Sequence, residues 1–317
     1  MGQELSFAGL ADDEFAIGLD VGGTKTLGVA VGPDGRVLVS SIRATIAGES
    51  GVADGIAATV ADLVDRVSDR RAASVGIGVP GIVDAAAGVV EVAVNVRLER
   101  SPLAALVRGL TGVPAAVEND VAVAALGEAR LVPGAESLAL ISIGTGLAVG
   151  LVSHGSVTRG ESAAAGEIGH LSVDPDGPWC GCGQRGCLEL YLSGSGIARM
   201  WPEGGPHAAA GLASAVARAD PRAVEVLAEV VDRLAWAIQL LALTVDPQRV
   251  LVGGGVAGMG DALFNPLRSA LDARSERSPF VSSLKLSERV QRASGPEAAA
   301  VGAALHGLRL RPSLLVI

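Results

Sequence analysis

The chain has 317 residues, enough for two lobes with separate cores, and 49% of them are hydrophobic. A formal charge of −9, from 25 basic and 34 acidic residues with no basic run, opposes nucleic-acid binding. Mean hydropathy is +0.45, yet the most apolar helix-like stretch, Leu234–Val245, is too short to span a bilayer and follows Glu229, Asp232 and Arg233. No membrane partner is expected. The N-terminus, MGQELSFAGLADDEF, lacks the charged-then-apolar order of a signal, and three clustered cysteines are not a disulfide framework, so a cytoplasmic location is expected. Met1-Gly2 with Ser6 fits a myristoylation pattern, one short enough to arise by chance.

In chain order, the apolar runs Phe15–Val21 and Lys25–Val31 predict two strands joined by the Asp20-Val-Gly-Gly-Thr24 turn. Pro33-Asp34-Gly35 is a second turn and Arg36–Ile42 a third strand. Val52, Ile56, Val60, Leu63 and Val67 lie at helical spacing within 51–70. Ser74–Val79 reads as a buried strand ended by Pro80-Gly81. Ala115–Val117 reads as another, leading through Glu118-Asn119-Asp120 into a helix to about Arg130 that Asn119 or Asp120 would cap. Leu138–Ile143 and Leu147–Val152 flank Gly144-Thr145-Gly146 and repeat the plan of the N-terminus, which predicts two related lobes. Asp220-Pro221 opens a long helix with apolar residues at 224, 227, 231, 234, 238, 241 and 245, a pattern that serves a dimer seam or, more commonly, a core. Arg249–Val252 runs into Gly253-Gly254-Gly255, and helices over about 261–273 and Gly295–Leu308 close the chain.

The chemistry-bearing motifs sit at these junctions. The Gly22-Gly23-Thr24 turn exposes backbone N–H groups to phosphate oxygens with Asp20 near their magnesium, although Gly-Gly also serves an ordinary hairpin. Gly144-Thr145-Gly146 offers a second phosphate loop, and Gly253–Gly255 either seats an adenine on the backbone or merely turns strand into helix. No GxxxxGK[ST] and no strand-following GxGxxG occurs, which argues against a P-loop enzyme or a Rossmann oxidoreductase. Asp120, at a strand-to-helix junction, suits acceptance of a hydroxyl proton in phosphoryl transfer, and equally suits simple helix capping.

Residues 166–189, GEIGHLSVDPDGPWCGCGQRGCLE, hold every cysteine of the chain. Cys180, Cys182 and Cys187, with Gly181, Gly183 and Gly186 between them and His170 upstream, make a four-ligand N/S set for tetrahedral Zn2+. Three small buried residues or a redox pair beside an unrelated histidine is the plainer reading. Four protein ligands leave no place for water, so the zinc would be structural, holding Glu167 and Glu189 on either side of the knuckle.

The order DVGGTK, GVPGIVD, VENDV, GTG, GEIGH with CGCGQRGCLE, and VLVGGGV resembles the ROK family of repressors, open reading frames and kinases, within the hexokinase and actin-like ATPase superfamily. The resemblance runs from about 15 to 308. It implies an α/β, two-lobed actin-like/hexokinase (ribonuclease H-like) fold with a structural zinc loop. The lobes would be 1–117, with a C-terminal helix at about 295–317 packed back on it, and 118–294, with substrates in the cleft between them. It further implies an ATP- and Mg2+-dependent kinase for the 6-hydroxyl of glucose, with N-acetylmannosamine or another hexose as alternatives, assembled as a homodimer or larger. By this resemblance Asp120 is the catalytic base. Asn119, Glu167, His170 and Glu189 look like sugar ligands beside it, and His170 would serve both zinc and sugar. Gly81 and Asn95 match the family's PG turn and the Asn of its PNL-like segment. Asp20, Gly22, Gly23, Thr24, Lys25, Gly144, Thr145, Gly146, Gly254 and Gly255 make up the nucleotide set.

Departures occur at Val121-Ala122-Val123, where the family has a second Asn, at Ala148-Val149, where it has Gly-Gly, and after Asn95, where an aromatic is absent. A repressor of the family would carry a helix-turn-helix ahead of the first strand, and about fourteen residues are too few for one. A sugar-binding protein without activity is the third reading.

Overall fold

Apolar alternation sets the first sheet. The computed structural model describes residues 6–310; Met1-Gly2 of the myristoylation pattern and residues 311–317 of the expected closing helix lie outside them. Strand β1 (Glu14–Val21) is buried almost throughout, β2 (Lys25–Val31) pairs antiparallel with it, and β3 (Val37–Ala44) pairs antiparallel with β2. Helix α1 (Glu49–Arg66) buries Val52, Ile56, Val60 and Leu63, the stripe that predicts it. Strand β4 (Arg71–Val79) runs parallel to β1.

A small antiparallel sheet of β5 (Ile82–Asp84), β6 (Val89–Ala93) and β7 (Leu98–Ser101) comes next, followed by α2 (Leu103–Thr111). Its strands are too short for period-two alternation to register in the sequence. Strand β8 (Ala115–Asn119) then adds parallel to β4, giving the order β3-β2-β1-β4-β8, and passes directly into α3 (Asp120–Leu131). The carboxyl ends of β1, β4 and β8 therefore lie along one edge, where open α/β sheets bind ligands.

The second half repeats the plan with β9 (Ser137–Ile143) and β10 (Leu147–Ser153) around the Gly144 turn, and β11 (Ser156–Val157) pairs with the end of β10. After the cysteine loop come α4 (Glu189–Leu192), α5 (Gly194–Met200), α6 (Ala208–Ala217) and α7 (Pro221–Thr244). Asp220 caps α7 by accepting from the Arg222 and Ala223 N–H groups, and Pro221 takes the first helical position. Leu227, Val231, Leu234, Ile238 and Leu241 are buried on α7, whereas Val224 and Val245 at the ends of the same stripe are exposed. Strand β12 (Arg249–Gly253) lies parallel to β9 and, beyond α8 (Asp261–Glu276), α9 (Pro279–Ser283) and α10 (Leu286–Arg289), to β13 (Val290–Arg292). Among the described residues no helix is long and apolar enough to cross a membrane.

Helix α11 (Glu297–Leu308) closes the chain against β1, β4 and α3. Backbone meets backbone there. A Cβ on Gly302 would stand 1.8 Å from the Val123 carbonyl oxygen, and one on Gly76 would stand 1.7 Å from that of Ala303. We expect Gly302→Ala to cost at least about 1–3 kcal/mol, since a methyl there must push two helices apart, and to lower Tm by several degrees in calorimetry. An unchanged Tm would contradict this packing.

By contact the chain divides into one unit of Met1–Glu136, Gly150–Ala165 and Ser294–Ile317, and a second of Ser137–Val149 and Gly166–Ala293. The division expected at residue 118 differs from this one. Helix α3 stays with the first unit because its Gly127 and Val123 interlock with Ala298 and Gly302 of α11.

Candidate active site

In the first unit the Gly22 N–H donates to the Lys25 carbonyl at 2.9 Å, closing the tight turn between β1 and β2. Gly23, Thr24 and Lys25 are exposed on that turn. Asn95, in a single 3₁₀ turn at Val94–Val96, packs over it: its Cβ lies 3.6 Å from where a Cβ on Gly23 would stand. Asp20 sits half-buried at the end of β1. Burial, and after it the negative charge of Asp120, push its carboxyl up to about 6 against the pull of Lys25. A carboxylate raised by a second carboxylate nearby suits a site completed by a cation.

Asn119 resolves the capping question left open by the sequence. Its Oδ1 accepts from the Val121 and Ala122 N–H groups at 2.9 and 3.0 Å, and its Nδ2 donates to the Gly81 carbonyl at 3.0 Å. Both lone-pair directions of Oδ1 are thus used, and one N–H of Nδ2 is left for a ligand. Asp120 follows as the first residue of α3, with its Oδ1 2.9 Å from the Val121 nitrogen.

In the second unit the Gly144-Thr145-Gly146 turn is closed by the Gly144 N–H on the Gly146 carbonyl at 3.0 Å. The start of α5 braces it, through the Gly194 N–H on the Gly144 carbonyl at 2.8 Å and Ser195 Oγ on the Thr145 carbonyl at 2.7 Å. Ser193 caps α5 by accepting from the Gly196 N–H. Glu189 lies against the same turn: its Oε2 accepts from the Leu147 N–H at 3.0 Å, and a Cβ on Gly146 would come within 2.6 Å of that oxygen. Gly254 packs against Ile143, just before the turn, and Gly255 is exposed beside it.

His170, Cys180, Cys182 and Cys187 converge, with one donor atom from each within 4.8 Å of all the others. Cys180 Sγ is 3.8 Å from His170 Nδ1, and Cys182 Sγ is 3.6 Å from Cys187 Sγ. Ligands at about 2.3 Å (S) and about 2.1 Å (N) from a tetrahedral zinc lie about 3.6–3.8 Å apart, so these two separations and the chemistry of the donor set suit the ion. The Cys180 N–H and Gln184 carbonyl bond at 2.8 Å, Gln184 Nε2 holds the His170 carbonyl at 3.1 Å, and the Arg185 guanidinium stacks 4.5 Å over Trp179. Without a cation the thiols diverge: the Gln184 N–H draws Cys182 down to about 6, while burial pushes Cys187 up to about 12. Glu167, exposed, opens the 3₁₀ turn that ends in His170, and Glu189 follows Cys187 by two residues.

The first unit thus gathers Asp20, Lys25, Gly23, Asn95, Gly81, Asn119 and Asp120. The second gathers the Gly144 turn, Gly254, Glu189 and the zinc set. The Ser193–Ser195 brace is absent from the sequence reading, although its Ser-Gly-Ser signature before a helix is visible. The partner of Glu118, Arg159, lies 41 residues away and has no local signal.

The sequence profile of the ROK family matches residues 16–307. The chain belongs to the ROK family. As a ROK protein it is 34% identical over 272 residues to a glucokinase of Thermotoga maritima, covering 80% of this chain and 85% of that one. It is 33% identical over 270 residues to an N-acetylmannosamine kinase of Citrobacter koseri, covering 80% and 88%. Its fold matches that of a ROK family glucokinase from Streptomyces griseus, solved in complex with glucose and AMPPNP, at a TM-score of 0.75 and 32% identity over 93% of this chain and 99% of that one. The expected α/β, actin-like architecture of ROK hexokinases is the architecture of this chain.

Proposed function

We propose that this ROK protein is an ATP-dependent hexose kinase that phosphorylates the 6-hydroxyl of glucose. The observation that carries the reading is Asp120 at the carboxyl end of β8, beside Asn119 and electrostatically coupled to Asp20, in a chain whose glucokinase relatives match along most of their length. The hydroxyl oxygen attacks the γ-phosphorus, the new O–P bond forms as the bond to the β-phosphate oxygen breaks, ADP leaves, and Asp120 takes the hydroxyl proton. Asn119 has one N–H to give a sugar hydroxyl. His170, turned to the thiols through Nδ1, keeps Nε2 for another, with Glu167, Glu189 and Asn95 as further ligands. The N–H groups of the Gly22 and Gly144 turns hold phosphate oxygens, and Gly254-Gly255 lie under the base. Mg2+ at Asp20 would offset the phosphate charge, and Zn2+ on the four N/S ligands would fix the loop between Glu167 and Glu189. Thiols reserved for a metal fit a reducing, cytoplasmic setting; a homodimer or larger is the assembly we expect.

The N-acetylmannosamine kinase relative supports a second reading of the substrate. A coupled ADP-release assay over glucose, mannose, N-acetylglucosamine and N-acetylmannosamine separates the two. We expect glucose to have the highest kcat/KM, at least about tenfold above N-acetylmannosamine, because an acetamido group in a pocket shaped for a hydroxyl costs about 1–3 kcal/mol. The reverse order would overturn glucose and leave the kinase reading standing.

A further inference from the structure

Glu118 precedes Asn119 and Asp120 and is 2% exposed. A carboxylate so placed requires compensation, and it has two kinds. Its Oε1 accepts from the Asn119 N–H at 2.9 Å, and its Oε2 accepts from Arg159 Nε at 2.7 Å and from Nη2 of the same guanidinium. His306 and Arg309 of the closing segment face the pair, together with the Val117 backbone. His306 meets the Val117 backbone without a well-formed hydrogen bond at either ring nitrogen, and burial lowers its pKa to about 4, so the imidazole is neutral and Arg159 is the principal counter-charge. Arg309 is turned to the Gly155 carbonyl.

Stability alone does not account for this pair, since a buried ion pair is commonly no better than apolar side chains of similar volume. Its connections lead to the site. One Glu118 oxygen fixes the Asn119 peptide; Asn119 in turn caps α3 and holds the Gly81 carbonyl; and α3 begins with Asp120. We infer that Glu118 and Arg159 are a positioning pair: the forked Arg159 contact orients the Glu118 carboxylate, which sets the Asn119 peptide and hence the direction of the Asp120 carboxylate. The inference rests on the kinase reading above. Displacement of a reacting group by an ångström costs up to about 10²-fold in rate.

Three variants test it: Arg159→Lys, which keeps the charge and loses the fork; Glu118→Gln, which keeps shape and loses charge; and Glu118→Gln/Arg159→Met, which removes both charges. Activity is measured well below each Tm, with glucose binding followed by calorimetry. The expected result is kcat lower by about tenfold or more in each variant, a glucose Kd within about threefold of wild type, and a double variant that regains Tm over Glu118→Gln without regaining kcat. A purely structural pair predicts that kcat follows the folded fraction, so kcat within twofold of wild type in folded Arg159→Lys, or kcat returning with Tm in the double variant, overturns the inference. Should Glu118→Gln fail to fold, Arg159→Lys decides alone. An active wild type with unaffected variants removes this inference only, whereas a wild type that phosphorylates no hexose removes the kinase reading and the inference with it.

Discussion

Asp120→Asn should bind glucose as the wild type does and turn it over at least about 10²-fold more slowly, the usual scale for loss of a general base. The substitution is nearly isosteric. Its Oδ1 can still face the Val121 nitrogen as the carboxylate does, and the cap of α3 is untouched because Asn119 supplies it. What disappears is the only group in the Asn119-Asp120 pair able to take a proton, since the Asn119 oxygen is occupied by two backbone N–H groups. The variant also lacks the negative charge that raises Asp20, so magnesium binding at Asp20 should be no tighter than a single carboxylate allows. Steady-state kinetics together with calorimetric glucose titration give the answer. Turnover within a few-fold of wild type would remove Asp120 from the role of base, and loss of glucose binding would make it a sugar ligand first.

Purified protein should contain about one zinc per chain, and Cys182→Ser should lose the metal while raising the glucose KM at least about tenfold. The reasoning is positional. Glu189, at the start of α4, lies two residues beyond Cys187, and Glu167, ahead of a 3₁₀ turn, three before His170, so both carboxylates are carried on the two segments that a metal on the four ligands would join. Beside the metal set the loop is held by short local contacts: the Gln184 bonds, two isolated bridges (Ser172 with Cys187, Trp179 with Arg185), the Arg185–Trp179 stack and the Tyr191 hydroxyl on Asp174. With the cation absent, Cys187 cannot readily ionise in its buried position, and the remaining ligands have nothing to converge upon. Elemental analysis and glucose kinetics on wild type and variant are the measurements. Metal-free wild type, or a zinc-free variant with unchanged KM, would contradict the assignment.

The convergence of His170 and the three cysteines was legible because they lie within eighteen consecutive residues, and thiol clustering is a property of a short segment. The same holds for the α7 cap at Asp220 and for the closing bonds of the two glycine turns, each made between residues at most a few positions apart. The roles proposed for Glu167 and Glu189 rest on family resemblance, since nothing local marks a sugar ligand. Which residue caps α3 was undecidable in the sequence, because Asn and Asp cap equally well and only the direction of each side chain separates them.

Tertiary structure alone decided the rest. The small β5–β7 sheet, whose strands are three to five residues long, places Asn95 over Gly23 from seventy residues away. Glycines 76, 127 and 302 acquire their reason only where α11 packs against β4 and α3, and that interlock, not the boundary at residue 118, assigns α3 to the first unit. Glu118 found Arg159 rather than a nearer cation because burial makes an uncompensated charge costly and packing determines which guanidinium can reach it. Local turn, cap and ligand chemistry is written in neighbouring residues, whereas the partners of desolvated charges and the contacts of bare backbone are set only when distant segments meet.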